Sequence, residues 1–132
     1  MATAHEVRKD LAEPARRLRA HIPGVIDSYS TMQQAVMTEG ALPAKVKELI
    51  ALAISATKQC DGCIASHARG AASQDATEAE VAEAIGVAVL MNGGPATVWG
   101  PRALAAYREF AERQGEAAVP TPSQGGNSGD LD

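Results

Sequence analysis

Aromatic side chains are scarce in this 132-residue sequence, which has one Trp, two Tyr and one Phe. The core must therefore come from Ala, Leu, Val, Ile and Met, and small aliphatic side chains of this kind favour closely packed helices. Long apolar segments are missing as well. The longest uninterrupted apolar run, Leu49 to Ile54, is far shorter than the roughly 20 residues that a membrane-spanning helix needs. We therefore expect no membrane partner.

Clusters of basic residues are also absent, and the formal net charge is −4. Because a nucleic-acid-binding surface needs a patch of Lys and Arg, the composition argues against a nucleic-acid partner. The N-terminal residues, MATAHEVRKD, lack the apolar segment of a signal peptide, and the length fits one domain. We therefore expect a single cytoplasmic domain.

Apolar residues recur with the period of about 3.6 residues that is typical of helices, and no segment alternates as a strand does. The pattern predicts an all-α fold of about six helices. Pro14 predicts a bend or a late start in the first helix. Thr77 and Glu80 have the spacing of a capping box at the start of the fifth. The predicted helices cover approximately residues 7–21, 25–39, 44–57, 63–72, 77–92 and 95–114, the last with a possible later start at Pro101.

The C-terminal segment differs in composition from the rest. Residues 116–132, EAAVPTPSQGGNSGDLD, are rich in Pro, Gly and Ser, have no aromatic side chain and carry acids but no base. Such a segment cannot bury enough apolar surface to offset the entropy of ordering. The sequence predicts a helical domain over residues 1–115 and a disordered tail over residues 116–132.

Both cysteines and one histidine lie in a short segment, KQCDGCIASHARGA, at residues 58–71. Cys63 and His67 are four residues apart, so on a helix they share a face with Cβ atoms about 5–6 Å apart. Cys60 lies at the start of that helix, within reach of Cys63 for a disulfide. With Asp61 as the N-cap, Cys63 would lie in the first turn, where free backbone amides favour a thiolate. An imidazole on the same face can accept the thiol proton.

A carboxylate joins this group if the chain reverses near residues 59 and 60. Glu48 precedes Cys60 by twelve residues. In a helical hairpin it would face the level of Gly70 or Ala71, about one turn from His67. The sequence therefore predicts a relay of carboxylate, imidazole and thiol.

Three other interpretations compete with this one. A zinc ion bound by both cysteines and His67 would need a fourth ligand, for which Glu48 is the available candidate, and we expect no metal because this ligand set is short. An inert structural disulfide is disfavoured because so small a loop restrains little of the unfolded chain. Glu48 could instead be a surface acid paired with Lys45 or Lys47.

Two longer stretches, ELIALAISATKQCDGCIASH and TEAEVAEAIGVAVLMNGGPA, resemble the AhpD-like alkylhydroperoxidase branch of the carboxymuconolactone decarboxylase family. The resemblance covers about residues 40–105. Four residues match the family's functional positions: Glu48, Cys60, Cys63 and His67. The resemblance implies a compact AhpD-like helical domain that assembles as a trimer or hexamer.

The resemblance also implies an activity, a thiol-dependent peroxidase or disulfide oxidoreductase that serves antioxidant defence without a cofactor. In this interpretation Cys63 attacks the peroxide, Cys60 resolves the product as a disulfide, and His67 with Glu48 relays protons. A dithiol protein then reduces the disulfide. By analogy with thioredoxin-like motifs Cys60 would be the more acidic thiol, but the i, i+4 histidine favours Cys63.

This sequence departs from the family pattern at Gly62, where some AhpD proteins have a second histidine directly before the second cysteine. Two other functions remain open. One is a scaffold or adaptor whose dithiol senses redox state, and the other is lactone decarboxylation, although true carboxymuconolactone decarboxylases generally lack the CxxC pair. A further hypothesis is that the tail tethers the enzyme inside an encapsulin shell, as Pro/Gly-rich C-terminal extensions do for similar redox cargo, although Leu131 is its only apolar anchor and a complete docking signal is not visible.

Overall fold

The computed structural model describes residues 1–118 and contains six α-helices and no strand within that range, which confirms the predicted all-α fold. The helices are α1 (Ala4–His21), α2 (Pro23–Met37), α3 (Ala44–Thr57), α4 (Asp61–Ser73), α5 (Glu78–Asn92) and α6 (Gly94–Ala118). The predicted tail and its encapsulin hypothesis lie outside the described residues, except that residues 116–118 continue α6. No helix in the described part of the chain is both long enough and apolar enough to cross a membrane.

The first helix begins three residues before its predicted start, so a late start at Pro14 is wrong. A capping box explains the difference: the Glu6 amide donates to Thr3 Oγ1 at 3.1 Å, and the Thr3 amide donates to Glu6 Oε2 at 2.8 Å. The amide of Ala4 also donates to the Glu109 carboxylate at 2.9 Å, which ties the start of α1 to α6. Pro14 lies inside the helix.

The turn between α3 and α4 is short and has a left-handed residue, Gln59, with a φ of 53°. The N-cap of α4 is Cys60 and not Asp61 as predicted: the Cys63 amide donates to Cys60 Sγ at 3.2 Å. Asp61 is the first residue of the helix, and its carboxylate accepts from the Gly62 amide at 2.6 Å. The sulfur therefore takes the place that an oxygen has in most N-caps.

Helix α4 lies at the centre of the body and packs against α1, α3 and α6. Its inward face is almost entirely alanine, which lets its neighbours approach closely. The buried residues of this face are Ile64, Ala65, Ala68, Ala71 and Ala72. Two of the few aromatic residues, Tyr107 and Phe110, are buried on α6, and the Tyr107 hydroxyl donates to the Ala76 carbonyl. Burial, followed by the nearby carboxylates of α5, raises the pKa of Tyr107.

Much of the apolar surface lies outside this core. The predicted apolar face of α2 is exposed: Val25, Tyr29, Met32 and Val36 each keep 57–64% of their accessible surface. Large apolar side chains of α3 and α5 are exposed as well: Ile50, Ile54, Val87, Leu90 and Met91. Exposed apolar side chains grouped on one helix face are typical of interaction surfaces.

The predicted capping box of α5 is present and is also part of an ion pair. Glu80 and Thr77 exchange hydrogen bonds of 2.9 and 3.1 Å, and the second Glu80 oxygen lies 2.9 Å from Lys45 Nζ on α3. The hydrogen bond from Lys45, followed by the bond from the Thr77 amide, lowers the pKa of Glu80 below its ordinary value of 4.5. One carboxylate therefore caps α5 and joins it to α3.

We expect Glu80→Gln to lower the free energy of unfolding near neutral pH and to have less effect in acid. Because the folded-state pKa of Glu80 is depressed, its stabilisation is present above 4.5 and is lost as the pH falls through the folded value. Urea unfolding of the wild type and the variant at several pH values measures the difference. Glu83→Gln, at an exposed acid on the same helix, is the control. If wild type and Glu80→Gln differ in the free energy of unfolding by the same amount above and below pH 4.5, the depressed pKa assigned to Glu80 is contradicted.

Candidate active site

The two cysteines form a disulfide at the start of α4, with 5.2 Å between their Cα atoms. They differ in access, since Cys63 is exposed and Cys60 is half-buried. Both lie at the positive end of the α4 dipole, and the Cys60 sulfur also accepts the Cys63 amide at 3.2 Å. Amide donors and the helix terminus favour negative charge on sulfur, so after reduction this position suits a thiolate.

Glu48 on α3 and His67 on α4 meet across the hairpin, with 2.8 Å between Glu48 Oε2 and His67 Nδ1. Both are mostly buried: 16% of the Glu48 side chain and 20% of the His67 side chain remain exposed. An ionised carboxylate can only accept hydrogen bonds, so Nδ1 carries the hydrogen and donates it. The neutral ring then has its lone pair on Nε2. This arrangement makes His67 an oriented proton acceptor.

The alternative in which Glu48 is a surface acid paired with a neighbouring lysine is wrong. Lys45 pairs with Glu80. Lys47 turns away to the end of α2, where its ammonium donates to the carbonyls of Val36 at 2.8 Å and Thr38 at 2.6 Å. Glu48 is therefore committed to His67, and Lys47 is a link between α2 and α3 that sequence reasoning missed.

His67 and Cys63 occupy positions i+4 and i of α4, the spacing that places two side chains on one helix face. Within residues 1–118, His67 hydrogen-bonds Glu48 and neither sulfur. In the disulfide form, the contact between carboxylate and imidazole that the predicted relay needs is thus present. The contact between imidazole and sulfur is not. A disulfide sulfur has no proton to transfer, so this last contact is needed only after reduction.

Gly62, the position at which this chain departs from some AhpD proteins, lies under α1. A Cβ atom on Gly62 would be 3.0 Å from Leu11 Cδ1. A side chain here would therefore require the end of the Leu11 side chain to shift by a few tenths of an ångström.

Gly70 lies one helical turn after His67, and the Glu48 carboxylate rests against it. Sequence reasoning used Gly70 only to mark a level along the hairpin and assigned it no role. A signal was available, because a helix-interior glycine costs about 0.8–1 kcal/mol relative to alanine and its neighbours in α4 are mostly alanine.

The zinc alternative lacks a suitable geometry. In the described part of the chain, no group of three or more His, Cys, Asp and Glu side chains is arranged to hold a metal ion. The two sulfurs are bonded to each other, and the Nδ1 atom of His67 faces Glu48. The other histidines lie elsewhere; His5, for example, contacts Arg113 at 3.2 Å.

A small cavity of about 110 Å³ opens beside the first turn of α4. It is bordered by Asp61 and Ile64 of α4 and by Trp99 and Arg102 of α6, whose guanidinium lies 4.5 Å from the Trp99 ring centroid. Trp99 is half-buried and packs against the core.

Comparison with known proteins identifies a protein family whose members resemble this chain. The sequence profile of the carboxymuconolactone decarboxylase family matches residues 23–110, which include all four predicted site residues. A crystal structure of an apo carboxymuconolactone decarboxylase family protein from Legionella pneumophila is similar in fold and sequence. It shares 37% identity, has a TM-score of 0.79 and covers 82% of this chain and 96% of its own.

Three bacterial relatives are also similar in sequence. An uncharacterized protein of Cupriavidus necator is 35% identical over 85 residues, which are 64% of this chain and 75% of the relative. An uncharacterized protein from the cox locus of Paracoccus denitrificans is 37% identical over 84 residues, 64% of this chain and 76% of the relative. An uncharacterized Haemophilus influenzae protein is 39% identical over 105 residues, 80% of this chain and 88% of the relative.

Proposed function

This chain belongs to the carboxymuconolactone decarboxylase family, and we propose that it is an AhpD-like thiol-dependent peroxidase and disulfide oxidoreductase. The observation that carries the proposal is that one helical hairpin holds both a redox-capable cysteine pair and a hydrogen-bonded carboxylate–histidine pair. A CxxC disulfide lies at the N-terminus of α4, and one turn further along the same helix His67 is held by Glu48. In the proposed reaction the cysteine pair is oxidised and reduced, and the His67–Glu48 pair accepts and returns a proton.

Cys63 is the attacking thiol in this mechanism. It is the more exposed of the two cysteines and shares a face of α4 with His67. In the reduced protein, His67 Nε2 accepts the Cys63 proton while Nδ1 donates to Glu48, whose negative charge stabilises the imidazolium that forms. The result is a Cys63 thiolate beside the imidazolium that now holds its proton.

The peroxide step uses both products of that transfer. The Cys63 thiolate attacks one peroxide oxygen, the O–O bond breaks, and sulfur is oxidised by two electrons to a sulfenic acid. The other oxygen leaves as an alkoxide or hydroxide and takes a proton from His67. An alcohol or water is released, and the imidazole returns to its neutral form.

Cys60 completes the cycle. Its thiolate, stabilised by the Cys63 amide, attacks the Cys63 sulfur, forms the S–S bond and displaces hydroxide, which leaves as water after protonation. A dithiol protein then attacks the exposed Cys63 sulfur, and Cys60 departs as the thiolate that the same amide stabilises. Thiol–disulfide exchange restores the reduced pair and oxidises the partner.

The two cysteine variants test these roles separately. We expect the reduced wild type to lose both thiols rapidly on mixing with an alkyl hydroperoxide, because these are the two cysteines of the chain. Cys63→Ser should lose no thiol rapidly, whereas Cys60→Ser should lose one and form a sulfenic acid that dimedone traps. Free-thiol titration over time and mass spectrometry of the dimedone adduct are the measurements.

The double variant Cys60→Ser/Cys63→Ser is the control for nonspecific oxidation. Rapid reaction of Cys63→Ser with loss of reactivity in Cys60→Ser would reverse the assigned roles. Slow loss of both thiols in the wild type would instead indicate a redox sensor or adaptor. Lactone decarboxylation that survives in the double variant would place the activity outside the cysteines altogether.

We further propose that copies of this chain assemble as a trimer or hexamer through the exposed apolar face of α3 and α5. A groove between these helices is lined wholly by aliphatic residues: Val46, Leu49, Ile50, Ala53, Ile54, Ala84 and Val87. The absence of charge along this lining favours an equally apolar occupant, and the exposed face of α2 on another copy has that chemistry.

Ile54→Glu tests the assembly. We expect it to shift the mass measured by light scattering towards that of the 13.6 kDa monomer while helical content is retained, because Ile54 is 53% exposed in the single chain. The control, Ala12→Glu, adds the same charge to an exposed position of α1. A wild type that is itself monomeric at micromolar concentration would refute the proposal.

A further inference from the structure

We propose that Gly70 is a positioning residue for the candidate site. By lacking a side chain, it leaves the space in which the Glu48 carboxylate lies and from which it holds the His67 ring. The inference deepens the proposed function, on which its catalytic consequence rests, and its structural part can be tested without any turnover.

The geometry at Gly70 is specific. A Cβ atom built on Gly70 would overlap all three atoms of the Glu48 carboxylate group, Cδ, Oε1 and Oε2. The same carboxylate holds His67 Nδ1 at 2.8 Å. Glu48 thus occupies the volume of a missing methyl group, and an alanine at position 70 and the carboxylate in its present place exclude each other.

The overlap falls on the movable end of a side chain and on no backbone atom. An alanine at position 70 can therefore be accommodated if the Glu48 carboxylate swings out towards solvent and gives up its contact with His67, while the helices stay in place. Most other glycines differ, since a Cβ on Gly24, Gly86 or Gly115 would meet nothing within 4 Å. A substitution at Gly70 should consequently act on the site and spare the fold.

Displacement of the carboxylate removes the acceptor that fixes the hydrogen on Nδ1. The ring can then rotate and place its hydrogen on either nitrogen, so that Nε2 is no longer held as the lone-pair nitrogen. The imidazolium formed on proton transfer would also lose its neighbouring negative charge. Both changes slow formation of the Cys63 thiolate.

The test compares Gly70→Ala with Gly86→Ala, a helix-interior glycine of α5 with free space around it, and with Glu48→Ala. The direct readout is the ¹⁵N chemical shifts of the His67 ring nitrogens at fixed pH, which report the tautomer and the hydrogen bond at Nδ1. The second readout is the rate of thiol loss when the reduced protein meets an alkyl hydroperoxide. Circular dichroism and the thermal midpoint monitor folding.

We expect Gly70→Ala to stay folded and to give His67 shifts like those of Glu48→Ala. Thiol oxidation should slow by at least about tenfold, within the usual contribution of a general base. Adding Gly70→Ala to Glu48→Ala should change neither readout further, because the overlapping group is already gone. Gly86→Ala should behave as the wild type does.

Wild-type His67 shifts in Gly70→Ala would overturn the inference, as would an additive effect in the double variant. If the shifts change as expected while wild-type thiols react slowly, the positioning role stands and the proposed peroxidase function fails. If Gly70→Ala does not fold, the double variant Glu48→Ala/Gly70→Ala decides. Restored folding there supports the overlap with Glu48, and failure of both variants overturns it.

Discussion

The contact between Glu48 and His67 is the interaction on which the organisation of the site depends. It joins α3 to α4 across a separation of 19 residues, in a place where both side chains are mostly shielded from water. A buried carboxylate without a partner would be costly, and a histidine without an acceptor would have no fixed tautomer. His67 gives the Glu48 carboxylate a hydrogen-bond donor, and Glu48 gives His67 the acceptor that fixes its tautomer. The short turn at Gln59 and the alanine face of α4 bring the two helices close enough for the pair to form.

Most of the fold could be predicted from local signals. Helical periodicity gave six helices, and the bounds of α3 were predicted as the structure has them, because Pro43 and the turn at residues 59–60 mark both ends. Errors occurred at other ends: α1 begins earlier because Thr3 and Glu6 form a capping box, and α6 continues past residue 114. The exposed face of α2 could not be foreseen, since an apolar stripe on a helix does not say whether its partner is in the same chain.

Spacing alone indicated that Glu48 would reach His67. In a helical hairpin, residues at similar distances from the turn lie side by side on the two helices. Finer features required coordinates. Asp61 is a better N-cap by residue type, yet Cys60 takes that position and its sulfur accepts the Cys63 amide. The fit of a carboxylate against Gly70 was likewise hidden, because it depends on how closely two helices approach and on which rotamer a long acid adopts.

The disulfide links residues only three positions apart in sequence. The conformational entropy that a crosslink removes from an unfolded chain grows with the length of the loop it closes, so this one contributes little to folding. Opening or closing this bond should therefore change the free energy of unfolding very little. In the proposed redox cycle, the helices would keep their alanine packing and capping boxes in both oxidation states.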